Sequence, residues 1–182
     1  MALLPVLLKS KIFFWAEDGR TFVATILLLV LLSPSTIFAW QGTVISVHDG
    51  DSMRVQRTDG AVVTIRVYGI DCPEIGQPYG KEARDLTATL LMGKTVEVTP
   101  AQKSKSYGRE VASIMQPDGT RLLQEALTAS GLAWVDGRYC KQEACNEWRK
   151  MQQEAKEANP PRGLWADPSP VPPWQWRRMH RR

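Results

Sequence analysis

Apolar and polar residues alternate in short runs from Thr43 onward. TVISVHD (43–49), SMRVQRT (52–58) and VVTIRVYGI (62–70) each read as a half-buried strand. Met53 and Val55 share one face of the second run, and Val63, Ile65 and Val67 share one face of the third, with Arg66 on the opposite face. The links HDGDS and TDGAV are short, and Asp-Gly is a strong hairpin signal, so the three runs predict an antiparallel meander. The period then changes. From Tyr79 the apolar positions Ala83, Leu86, Leu90 and Leu91 recur at helical spacing, and Gly93 ends the pattern. KTVEVTP and EVASIMQ read as a fourth and a fifth strand. A second helix carries Leu122, Leu123, Ala126 and Leu127 on one side and ends at Gly131. LAWV is a short extended piece, and a third helix runs through Trp148, Met151 and Ala155 until NPPRG stops it. The last stretch, ADPSPVPPWQWRR, is proline-rich and is expected to lie extended along the surface.

Five short strands with three helices inserted late predict an α+β domain built on a small closed barrel, for which the five-stranded OB barrel is the natural candidate. The chain has 182 residues, 43% of them hydrophobic and 23% charged, which suits one globular domain with appendages. A formal net charge of +4 agrees with a polyanionic partner without requiring one. Residues 1–39 stand apart. Lys9, Lys11 and Arg20 precede TFVATILLLVLL and then SPSTIFAW, the layout of a secretory signal peptide cleaved after Ala39, which implies a periplasmic or secreted protein. The competing reading is a retained membrane anchor over Phe22 to Trp40, interrupted by Ser33, Pro34 and Ser35. The expected organisation is therefore a leader over 1–39, a domain over 40–166 and a Pro/Trp/Arg-rich tail over 167–182.

Three cysteines follow the leader: Cys72, Cys140 and Cys145. In an oxidising compartment Cys140 and Cys145 could pair, given a turn at YCKQEAC ahead of the third helix; the alternative is two free thiols. Two histidines at no useful spacing, His48 and His180, argue against zinc.

The chemistry concentrates in the turns. Asp49 and Asp51 flank Gly50 in the first hairpin turn, and Asp71 and Glu74 leave the end of the third strand. In a meander, the first turn and the exit of the third strand lie at the same end, so Asp51 and Asp71 are expected to meet. Two carboxylates held close repel each other unless a cation lies between them, and a hard divalent ion with oxygen ligands answers that need. Arg66, outside the apolar stripe, and Arg109, after Tyr107-Gly108, offer planar paired donors that match phosphate oxygens. Glu74 is left to accept a proton from an attacking water or to orient it.

DGDS, TIRVYGIDCPE and YGR, in this order, resemble the staphylococcal nuclease (thermonuclease) family over roughly Thr43 to Trp165. The resemblance implies a calcium-dependent, sugar-nonspecific nuclease on an OB barrel with three helices, cleaving DNA and RNA to products that end in 3′-phosphate. It implies calcium ligation by Asp51, Asp71 and the Cys72 carbonyl, phosphate binding by Arg66 and Arg109, water activation by Glu74, and a nucleotide pocket formed with Tyr107 and Tyr139. A monomer without a stable protein partner is expected. Cys72 and Ser52 stand where threonines are familiar, and the loop IGQPYGKEAR is short and has lost basic residues. The tail carries no counterpart of a catalytic group. The alternative is a non-catalytic nucleic-acid-binding barrel; a structural envelope protein would explain the leader and not the clustered acids and arginines.

Overall fold

The computed structural model describes residues 38–180 apart from Tyr107. The expected leader therefore lies outside the described residues, except for its last two positions. Seven strands and four α-helices follow in the order β1 (Trp40–Asp49), β2 (Ser52–Arg57), β3 (Val62–Val67), β4 (Ile70–Asp71), α1 (Gly80–Leu91), β5 (Thr95–Ser106), β6 (Arg109–Met115), α2 (Leu123–Ala129), β7 (Trp134–Val135), α3 (Ala144–Glu157) and α4 (Pro173–Met179), with a 3₁₀ turn at Gly163–Ala166 before α4.

The meander forms as the turn chemistry requires. β1 pairs antiparallel with β2, with Val44 opposite Val55, and β2 pairs antiparallel with β3, with Ser52 opposite Arg66. β3 then lies parallel to β6, β6 antiparallel to β5, and β5 antiparallel to β1. The sheet thus closes as a five-stranded mixed barrel in the order β1-β2-β3-β6-β5, the α+β architecture of an OB fold. Its interior is the alternate set of each strand: Val44, Met53, Val55, Ile65, Val67, Val96, Val98 and Ile114 are all buried. Ala83 and Leu91 of α1, Leu123 and Leu127 of α2, and Trp148 of α3 extend the same cluster. A second, smaller cluster joins Ala155, Leu164 and Trp165, with Tyr79 and Trp134 packed against it.

Three features depart from the sequence expectation. The third strand does not run through to Ile70. Gly69 takes φ +78°, and a Cβ there would lie 2.6 Å from Cys140 Sγ, so only glycine fits this kink. Beyond it, Ile70 and Asp71 leave the barrel and pair with Val135 and Trp134 as a separate two-stranded ladder. The second departure is the number of α-helices, four among the described residues against the three expected. The third accounts for it: the tail is not extended throughout but forms α4. Pro172 caps this helix and Pro173 opens it, positions where proline's missing N–H costs nothing and its fixed φ favours the helix.

Cys140 and Cys145 are joined by a disulfide, with Cys145 on the first turn of α3, so the turn ahead of that helix does allow the pairing. Cys72 is a free, buried thiol, and burial pushes its pKa well above the ordinary value, which keeps it protonated.

Candidate active site

The β1–β2 turn is fastened from three directions. Asp51 donates its backbone N–H to Asp49 Oδ1 at 3.1 Å, and its carbonyl accepts the Val67 N–H at 2.8 Å. From α1, the buried Thr87 hydroxyl donates to the Gly50 carbonyl at 2.7 Å. Thr87→Val keeps the shape and strands that carbonyl, so it is expected to cost about 1–3 kcal/mol in urea unfolding; an unchanged midpoint would show that the turn holds without α1.

The turn directs Asp51 toward the end of β3, where the predicted group assembles. Asp51 Oδ2 accepts the Cys72 N–H at 2.6 Å, and Asp51 Oδ1 accepts the Ser52 hydroxyl at 3.2 Å. Arg66 Nη1 forms an ion pair with Asp51 Oδ1. Arg66 Nη2 donates to Asp71 Oδ1 at 2.6 Å and to the Ile70 carbonyl at 3.2 Å. One guanidinium therefore bridges the two aspartates, each of them only 1% exposed. Buried carboxylates this close need such a counter-charge, because their desolvation alone would cost several kcal/mol. Arg109, the first residue of β6, donates to the Ser52 hydroxyl at 3.2 Å, which places it one hydroxyl away from Asp51. Asp49 is held with a raised pKa by burial, against the opposing pull of Arg66.

Glu74 sits on the loop that leaves Asp71. Its N–H donates to Gln77 Oε1 at 3.2 Å, and its carbonyl accepts the Gln77 N–H at 2.8 Å. Gly80 closes the loop from the other side: a Cβ there would stand 1.8 Å from the Glu74 carbonyl oxygen, so no side chain fits. The loop is short and tight, and it holds the carboxyl at the rim, half-exposed.

Of the residues expected from sequence, Asp51, Arg66, Asp71, Cys72, Glu74 and Arg109 are gathered at one end of the barrel. Tyr139 is 68% exposed, and its described contacts are with Arg138, whose guanidinium lies 5.5 Å from the ring centre, and with Asp136 through its backbone. Tyr107 lies outside the described residues. His48 is exposed on β1, and Trp148 and Trp165 are buried packing residues.

Sequence reasoning missed one site residue. Arg177, on α4, donates from Nη2 to Asp71 Oδ2 at 2.7 Å, and from Nη1 to Asp71 Oδ1 at 3.1 Å and Glu74 Oε1 at 2.6 Å. The bonds to Asp71, with those to Glu74, raise the pKa of Arg177 above its ordinary value. The tail thus reaches the acidic group directly, although it carries no counterpart of a catalytic group of the family. The available signal was the helix start at Pro172-Pro173, which sets Arg177 on a defined turn.

The donor set suits a hard cation: oxygen atoms only, on two buried carboxylates already bridged by a positive group. The set is lean, because among the described residues no three His, Cys, Asp or Glu side chains gather as a metal cluster. Backbone carbonyls and water would complete the shell.

A closed OB-type barrel with acids and guanidinium groups converging at one rim offers the kind of donors that match phosphate oxygens. Residues 64–167 match the family of staphylococcal nuclease homologues. An uncharacterized endonuclease of Escherichia coli O157:H7 is 39% identical over 148 residues, covering 78% of this chain and 92% of its own. A micrococcal nuclease of Shigella flexneri is 32% identical over 170 residues, covering 87% and 91%. A probable staphylococcal-like nuclease of Oryza sativa subsp. japonica is 38% identical over 117 residues, which is 64% of this chain and 29% of the longer plant protein. The chain belongs to the staphylococcal nuclease family, and with it to the endonucleases that hydrolyse phosphodiesters.

Proposed function

We propose that this nuclease is calcium-dependent and sugar-nonspecific, cutting DNA and RNA to leave 3′-phosphate ends. The observation that carries the reading is the bridge of Arg66 between Asp51 and Asp71, with Glu74 on the adjoining loop. It marks a place where buried carboxylates require positive charge.

Asp51, Asp71 and the Cys72 carbonyl would hold the calcium ion. When bound, it supplies Lewis acidity toward a phosphoryl oxygen. This chain's own residues do the rest. Arg66 exchanges its aspartate contacts for the scissile phosphate, where its paired donors match two oxygens. Arg109, positioned through Ser52, stabilises the charge that grows on that phosphate during attack. Glu74 accepts the proton of the attacking water, and the 5′-oxygen departs in line. Ser52 keeps a hydroxyl between Arg109 and Asp51, and so couples the phosphate-binding side of the site to the acidic side. Export fits the same picture: the leader pattern and the Cys140–Cys145 disulfide both belong to an oxidising compartment.

The test is incubation of the full chain with plasmid DNA and with RNA, in calcium, with and without chelator. Cleavage of both polymers that stops on chelation is expected, with 5′-hydroxyl ends that a kinase labels without prior phosphatase treatment. Retention of nucleic acid without cleavage in calcium would instead support the non-catalytic barrel.

A further inference from the structure

Arg177 lies beyond the span 64–167 that matches the family, yet it contacts two of the acids on which the proposed chemistry depends. Its placement is built rather than incidental. The tail is fixed by buried Gln77, whose side-chain amide donates to the Val171 carbonyl at 2.5 Å. Trp174 packs edge-on against Trp134 at 5.6 Å, and the Arg138 guanidinium covers Trp174 at 4.9 Å. Pro173 is buried at the start of the helix. A small cavity lined by Pro73, Gln77, Tyr79, Trp134, Val171 and Trp176 marks the seam between the tail and the Glu74 loop. α4 is thus docked on the segment that presents Glu74.

The donors of Arg177 are directed at the acids. Both oxygens of Asp71 accept from it, and Asp71 Oδ1 is shared with Arg66. Glu74 Oε1 accepts from the same guanidinium. A cation approaching Asp71 meets a carboxylate whose two oxygens are already engaged, and a base whose acceptor is engaged as well. Bidentate guanidinium–carboxylate pairs are among the stronger hydrogen-bonded contacts, so the exchange carries a cost. Arg66 has an alternative partner in the substrate phosphate. Arg177, 41% exposed and carried by a surface helix, occupies the outer side of the group.

We infer that Arg177 is an internal counter-ion that competes with the divalent cation for Asp71 and frees Glu74 when displaced, so that the C-terminal helix sets how much calcium the enzyme requires. This rests on the calcium reading above and goes beyond it by naming the residue that tunes the site. The mechanism is reciprocal: whatever strengthens the docking of α4 weakens the metal, and metal binding loosens the Arg177 contact by the same factor.

Isothermal calorimetry of calcium binding to the full chain tests it, with parent, Arg177→Ala, Arg177→Gln and Arg178→Ala compared without nucleic acid. Arg177→Ala and Arg177→Gln are expected to bind calcium about tenfold more tightly than the parent, or about 1.4 kcal/mol. Arg178→Ala removes the same charge from an exposed position on the same helix and should bind as the parent does. Equal or weaker binding by both Arg177 variants overturns the inference, as does an equal gain in Arg178→Ala, which would assign the effect to net charge. Absence of calcium binding in every form, parent included, overturns the inference together with the calcium assignment. A parent that binds calcium and cleaves, with Arg177 variants that bind no better, overturns the inference alone.

Discussion

Arg66→Ala is expected to lose both stability and turnover. The side chain is only 18% exposed, and it satisfies Asp51, Asp71 and the Ile70 carbonyl together. Its removal leaves two buried carboxylates facing each other, with Arg177 still paired to Asp71. Breaking a buried pair by deleting one partner typically costs about 3–5 kcal/mol, and urea unfolding should show a loss at the lower end of that range because Arg177 still shields Asp71. Cleavage should fall by at least about 10²-fold, the usual consequence of removing a group that stabilises charge in the transition state. The stability loss has a further signature. Addition of calcium should restore most of it in Arg66→Ala while stabilising the parent less, because in the variant the ion supplies charge that the protein lacks. Arg66→Ala combined with Asp51→Asn should likewise be more stable than the sum of the two single changes, since the repulsion left by one is removed by the other. If Arg66→Ala unfolds at the parent's urea concentration, the aspartates are not held by this guanidinium.

Glu74→Gln separates chemistry from architecture. The Glu74 backbone is held by Gln77 and by the close approach of Gly80, and neither contact involves its carboxyl. The single carboxyl contact described is with Arg177 at the rim, an exposed pair worth under about 1 kcal/mol. Unfolding should therefore change little. Turnover should fall by about 10²–10⁴, because an amide accepts no proton from the attacking water. Single-turnover cleavage of a short labelled oligonucleotide checks this, with substrate affinity measured separately in calcium. Parental turnover in this variant would remove Glu74 from the mechanism.

The barrel and most of its site were legible because both depend on local signals. Alternation gave the strands, and Asp-Gly turns fixed the meander. The meander then dictates that a residue in the first turn and a residue leaving the third strand share an end. Asp51, Arg66 and Asp71 meet for that reason, and Arg109 follows from the register of β6 beside β3. The break at Gly69 was not legible, since Val67 to Ile70 reads as one apolar run. Its cause is a partner far along the chain, the Trp134–Val135 strand, together with the Cys140 sulfur that Gly69 alone leaves room for. Thr87 was hidden in a similar way: a threonine on an apolar helix face carries no sign of its acceptor, Gly50. The tail's prolines read as helix breakers, whereas two of them stand at a helix start. Arg177 is one of four tail arginines, and only tertiary docking distinguishes it from its neighbours.

The small ladder between Ile70–Asp71 and Trp134–Val135 bears on how the enzyme comes into being. Asp71 belongs to the first half of the chain, but the strand that sets its place is made much later, and that strand's tryptophan is braced by Trp165 and Trp174, later still. A polypeptide still emerging from the ribosome has the five barrel strands before it has a working cleft. Until residues 134–135 are made, a growing chain holds Asp71 without the ladder that sets its place.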